Sequence, residues 1–89
     1  MSINDDLWDF PHAMQLKVMG AADAPLAELL IELLARHLGA FDAETQLREN
    51  ASSSGKYISL TASIVMENKE QVTAIYAELN ASPHVKVVF

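Results

Sequence analysis

The side chains able to do chemistry in this sequence are few, and their spacing keeps them apart. Histidine is the usual metal ligand and general base near neutral pH, and three are present, His12, His37 and His84. No His-x-x-x-His pair occurs among them, so no single helix can offer two imidazoles to one metal. Cysteine is absent, which removes disulfides, thiolate nucleophiles and cysteine-ligated metals together. The run Ser52-Ser53-Ser54-Gly55-Lys56 suggests a phosphate loop. Such a loop needs an earlier glycine and a following helix whose N-terminus receives the anion. Here a strand follows, and a serine-rich hairpin is the better reading.

The elements that must position these residues can be read from periodicity. Ala13–Met19 alternates as a half-buried strand, with Met14, Leu16 and Val18 on one face and Gln15, Lys17 and Met19 on the other. Gly20 ends it, and Ala21–Ala24 makes a tight connection. Pro25 then opens a helix to Leu38 with Leu26, Leu29, Leu30, Leu33 and His37 as its apolar stripe, and Gly39 stops it. Asp23 suits the helix start, where the dipole favours a negative charge. Ala43–Glu49 reads as a polar edge strand and Asn50–Lys56 as a hairpin loop. Tyr57–Met66 is the clearest strand. Ile58, Leu60, Ala62, Ile64 and Met66 form its inward row; Tyr57, Ser59, Thr61, Ser63 and Val65 form the outward one. Asn68 with Gln71 is a capping-box pattern for a second helix striped by Val72, Ile75, Tyr76 and Leu79. Pro83 closes that helix, and Val85–Phe89 is the last strand, with Val85, Val87 and Phe89 expected inward and Lys86 and Val88 outward.

The order β-α-β-β-α-β predicts an α+β fold of the ferredoxin-like type. Its four-stranded antiparallel sheet has order 4-1-3-2, with two helices on one face. His12 and His37 then fall at one end and His84 at the other, so no metal site and no catalytic constellation forms. Phosphate chemistry on this frame would want an arginine after the first strand, where Ala21–Ala24 offers only Asp23. Residues 1–12 read as an acidic N-terminal arm carrying Leu7, Trp8 and Phe10 among Asp5, Asp6 and Asp9. Residues 13–89 read as a single domain.

Composition agrees. An apolar fraction of 51% with 20% charged residues is that of a folded chain. A net charge of −6 opposes generic binding to nucleic acid or to an anionic membrane face. The N-terminus is acidic where a signal peptide is basic, and Glu28, Glu32, Arg36 and His37 interrupt the longest apolar stretch. The expectation is a cytoplasmic protein without a membrane span, in which the Asn-Ala-Ser sequons at Asn50 and Asn80 carry no glycan.

Phe10-Pro11, Lys17-Val18-Met19-Gly20, Ser52-Ser53 with Gly55, Tyr57 and Ser59, and Glu70-Gln71-Val72 with Ile75-Tyr76 and Glu78-Leu79 together resemble the YbeD-like family of small bacterial proteins. The resemblance runs from about Leu7 to Phe89. It implies a ferredoxin-like fold compared with the ACT regulatory domains of amino-acid metabolism. It brings no catalytic residues and no cofactor, although some members are labelled lipoate regulators. Met14 departs from the family, which has an aromatic there. The ACT ligand loop typically reads Asp-x-Pro-Gly; here Asp23-Ala24-Pro25-Leu26 keeps the first part and lacks the glycine that lets a ligand approach the backbone. Gly20 and Asp23 remain the candidate ligand loop.

The uncovered sheet face is the other candidate. It should present Lys17, Arg48, Tyr57, Ser59 and Lys86 together with Gln15, Thr61 and Ser63. RNA-recognition domains use this face with stacked aromatics, but Tyr57 is the one aromatic here. The leading expectation is a non-catalytic regulatory or adaptor domain that binds a protein partner, or a second copy, through this face or an edge strand. The alternatives are an ACT-like sensor of a small metabolite and, disfavoured by charge, a weak RNA-binding module.

Overall fold

The first strand sets the frame for everything else. In a computed structural model, which describes residues 9–88, β1 (His12–Ala21) buries Leu16 and Val18 completely and exposes Gln15 and Lys17 in alternation with them. β3 (Tyr57–Met66) lies antiparallel to it with an unbroken register from His12 opposite Met66 to Ala21 opposite Tyr57. Because side chains alternate with period two, this register assigns each residue of both strands to a face. Leu60, Ala62, Ile64 and Met66 join Leu16 and Val18 on the inward side. β2 (Leu47–Ala51) pairs with β3 and β4 (Val85–Val88) with β1, which gives the sheet order β2-β3-β1-β4. This is the expected order read from the other edge.

Two long helices cover the inward face. α1 (Leu26–Leu38) buries Leu26, Leu30, Leu33 and Leu34, and α3 (Lys69–Ala81) buries Val72, Ile75, Tyr76 and Leu79. These stripes and the inward strand rows form one core with Phe10 and Met14 packed at its margin. The α3 N-terminus is capped as its sequence predicts: the Asn68 side chain accepts from the Gln71 N–H at 2.8 Å, and the Gln71 side chain accepts from the Glu67 N–H at 2.7 Å. Gln71 also donates to the His37 carbonyl at 2.9 Å, tying the start of α3 to the end of α1. Gly39 ends α1 at φ 84° with its N–H on the Ala35 carbonyl, the left-handed stop that glycine permits. Pro25 occupies the cap position itself, and no side chain caps α1, so Asp23 does not.

Two segments differ from expectation. Ala43–Gln46 is a helical turn, α2, rather than the start of a strand. Asp42 explains the difference: its carboxylate accepts from the Glu44 N–H and the Thr45 hydroxyl, both at 3.1 Å, a local competitor to strand pairing. Gln46 completes the turn by accepting from the Asp42 N–H and donating to the Ser63 carbonyl on β3. The second strand is thus confined to Leu47–Ala51. In β4 the register on β1 slips: Val88 faces Val18 and Val87 faces Met19, but Val85 faces Gly20. Lys86 is the extra residue of a bulge. Val88 therefore turns inward and Val87 outward, the reverse of the simple alternation. Leu7, Trp8 and Phe89, also named in the sequence, lie outside the described residues.

Gly20 sits where β1, β4 and α1 converge. It is buried, and a Cβ there would collide with the backbone carbonyl oxygen of His84 and stand 3.0 Å from a Leu26 methyl. A backbone oxygen cannot swing aside as a flexible side chain can. Gly20→Ala should therefore destabilise the fold by about 1–3 kcal/mol, measured by urea denaturation, whereas a ligand-approach role alone would leave stability unchanged. The faces of the sheet make a second prediction. Leu33→Ala and Ile64→Ala, at 4% and 3% exposure, should each cost roughly 2–5 kcal/mol. Ser63→Ala, on the outward row, should stay within about 0.5 kcal/mol. A ranking that put Ser63→Ala first would reverse the two faces.

Candidate functional site

The strand registers bring the expected surface residues onto one sheet face in cross-strand rows. Arg48 lies opposite Thr61, and Thr61 lies opposite Lys17. β3 thus separates the two cations, and their backbones stand about 10 Å apart at the usual strand spacing. The next row runs Asn50, Ser59, Met19, Val87. Tyr57 lies beyond it, opposite Ala21, and the bulge exposes Lys86 beside Val87 at the sheet margin. Ser59 is half-buried beneath its neighbours and helps to line a shallow hollow of about 220 Å³ with Met19, Asn50, Ser52 and Tyr57.

Two properties separate this face from the rest of the molecule. The sequence holds 12 carboxylate side chains against 6 lysines and arginines, yet the described rows of this face carry Lys17, Arg48 and Lys86 and no carboxylate. In addition, the large apolar side chains exposed among the described residues, Tyr57 at 41%, Val65 at 46% and Val87 at 44%, all stand here. Cations interleaved with apolar groups can hold a carboxylate-bearing polypeptide, the cations steering it and the apolar groups excluding water.

The Ser-rich loop serves its own hairpin. Ser52 receives the Tyr57 N–H on its hydroxyl at 3.1 Å and sends its own N–H to the Tyr57 carbonyl at 2.9 Å. The Gly55 N–H goes to the Ser52 carbonyl and the Lys56 N–H reaches the Ser54 hydroxyl. Donors that a phosphate cradle would need are spent inside the turn, and the result is a fixed backbone for Tyr57. Gly20 faces the core against the His84 carbonyl, while Asp23 is exposed in a turn anchored to the hairpin by the Ala22 N–H on the Lys56 carbonyl.

On the opposite side, the helices carry a cluster with no signature in the sequence. Arg36 of α1 grips Glu78 of α3 with two hydrogen bonds, at 2.7 and 3.1 Å, and the His37 Nε2 stands 3.3 Å from the same carboxylate without an aligned hydrogen bond. The Arg36 guanidinium holds the Glu78 carboxyl below its ordinary range. Tyr76, buried nearby in sequence, has its phenol pushed up by desolvation and stays protonated. A carboxylate gripped at both oxygens by a guanidinium is a clamp between helices and a poor base. Among the described residues no three metal-ligating side chains gather, and no helix is long and apolar enough to cross a membrane.

The clamp has a pH signature. A carboxyl whose folded pKa is depressed contributes stability above its ordinary value of 4.5 and loses it as pH falls through the folded value. Part of the acid destabilisation below pH 4.5 should therefore disappear in Glu78→Gln. Both partners are exposed, so the difference should be small and should shrink in concentrated salt. Denaturant titrations of both proteins at pH 7 and pH 3 measure it, and equal losses on acidification would remove Glu78 from the acid transition.

The comparisons with known proteins extend over the whole of this architecture. The chain is 39% identical over 84 residues to a "UPF0250 protein" of Shewanella sediminis, covering 94% of this chain and 92% of that protein. It is 36% identical to a "UPF0250 protein" of Paraburkholderia phymatum, over 97% of this chain and 96% of the relative. A "UPF0250 protein" of Leptothrix cholodnii matches at 34% over 92% of this chain and 89% of its own. The resemblance to the YbeD-like bacterial proteins is thereby shown. Residues 5–89 match the family model described as "Protein of unknown function (DUF493)", and the chain belongs to that family.

Proposed function

We propose that the chain is a non-catalytic regulatory or adaptor domain of the cytoplasm that acts by holding a protein partner on its open sheet face. The observation that carries this reading is the segregation of charge. In a chain of net charge −6, one face bears three cations, no carboxylate among its described residues, and the exposed side chains of Tyr57, Val65 and Val87. Tyr57 supplies the amphipathic anchor that interfaces favour. Lys17, Arg48 and Lys86 steer an acidic partner and discriminate against a basic one. The edges support the face as the binding surface over strand addition, since β4 is four residues long and bulged and β2 is five residues long and polar. A metabolite sensor working at the Gly20 loop would need backbone space that the His84 carbonyl already fills.

Affinity capture of the tagged protein from a bacterial host tests the reading. Lys17→Glu combined with Lys86→Glu should leave the circular dichroism spectrum and the denaturation midpoint near wild type, because both side chains are exposed, and should abolish partner capture. An unchanged partner list from the folded double variant would overturn it.

A further inference from the structure

The open face has a shape as well as a charge. The outward row of β3 is large at its two ends, Tyr57 and Val65, and small between them, at Ser59, Thr61 and Ser63. A shallow hollow lies at each end. Residues 57–59 of β3 line one with Met19 and Ser52, and residues 63–65 line the other with Ala13 and Gln15. Midway between them runs the row Arg48, Thr61, Lys17, with its cations on the strands either side of β3. We infer that the occupant of this face is an acidic amphipathic helix of the partner, seated along β3 with a carboxylate on each flank for Arg48 and Lys17. The inference rests on the proposed function and names the class of partner.

Dimensions and charge carry the assignment. The hollows are centred about 20 Å apart along the strand, with Thr61 at the midpoint. An α-helix covers that distance in about 14 residues, and its positions i, i+7 and i+14 point within about 40° of one direction. Apolar side chains at i and i+14 then enter the two hollows, and a small residue at i+7 rests over Thr61. Positions i+6 and i+8 project about 100° to either side, above Arg48 and Lys17, whose backbones stand about 10 Å apart across β3. That is close to the width of a helix with its side chains. Glutamates at those two positions complete the match of charge. A strand laid flat on the face leaves its own N–H and C=O groups without partners, whereas a helix satisfies them internally. The sheet of a second copy would set three cations against three cations. Single-stranded nucleic acid needs a series of stacking aromatics, and Tyr57 is the one aromatic on the described rows of this face.

The probe is a fluorescein-labelled, alanine-based peptide of about five helical turns, stapled on its outer side, with leucines at i and i+14 and glutamates at i+6 and i+8. Anisotropy titrations with the full-length protein at low salt should show saturable binding, and amide shifts in the NMR spectrum should run along β3 from Tyr57 to Val65. Lys17→Glu/Arg48→Glu should weaken binding at least tenfold, while Lys17→Arg/Arg48→Lys should keep it. Thr61→Tyr, which fills the floor and spares both cations, should also weaken it at least tenfold. Circular dichroism confirms that each variant is folded. Moving the glutamates to the outer side of the peptide, or breaking its helix with a central proline, should cost at least tenfold as well. Absence of binding overturns the inference, as does equal affinity for the proline-broken peptide or undiminished affinity in Thr61→Tyr. Tighter binding of oligothymidylate than of the peptide assigns the face to nucleic acid, and a dimer that the peptide dissociates assigns it to a second copy; either overturns the inference. If the cations are needed for partner capture but the helical probe does not bind, this inference fails and the proposed function stands. If the probe seats along β3 but charge reversal leaves partner capture unchanged, the proposed function fails and the helix seat stands.

Discussion

The antiparallel ladder between β1 and β3 is the constraint on which the rest of the molecule depends. It occupies the centre of the sheet and runs without interruption from His12 opposite Met66 to Ala21 opposite Tyr57. A slip of β1 by one residue against β3 would send Leu16 and Val18 to solvent and bring Lys17 under the helices. The apolar inward rows forbid that slip, so the polar outward rows are held in register by side chains they never touch. The alignment of Arg48, Thr61 and Lys17 across three strands is thus maintained by packing on the other side of the sheet.

The parts of the fold that were legible in the sequence are those in which one face is apolar over several turns or several alternations. β1, β3, α1 and α3 are of this kind, and Asn68 with Gln71 marks the start of α3 by a side-chain pattern that works locally. The second strand was misread at its start because Thr45 and Leu47 alternate as a strand would, while Asp42, just upstream, captures the Glu44 N–H and the Thr45 hydroxyl and winds a turn. Within the candidate surface, Lys17, Arg48, Tyr57, Ser59 and Lys86 were legible from alternation. Val87 was not, because the bulge that turns it outward depends on where β4 meets Gly20 and leaves no local signature. Arg36 and Glu78 were invisible for a different reason: 42 residues separate them, and only the packing of two helices brings them together.

The two sides of the molecule also treat charge differently. On the helical side, Arg36 is committed to Glu78, and the carboxylates of α1 and α3 stand at an exposed surface. On the sheet side the cations are spaced by strands, with no carboxylate on their own face among the described residues. Such segregation spreads negative charge over most of the surface while reserving one patch for the attraction of acidic groups. It also disfavours stacking two identical sheets, which is the simplest way to cover an open face by symmetry.

The bulge in β4 shows how chain length, as distinct from composition, can write a surface. With regular pairing, the residues Val85 to Val88 would place Val87 under the helices and Val88 in water. One additional residue in the strand exchanges them, so that Val88 packs across from Val18 and Val87 stands beside Met19. Natural variation in this strand can therefore be counted in insertions and deletions. Losing Lys86 would erase a cation and the bulge in one step while leaving Val87 outward and Val88 inward, whereas a point substitution of Lys86 would erase the cation and keep the bulge. Among homologous chains, the length of the segment between the end of α3 and the end of the sheet would then be a more telling character than the identity of any one residue within it.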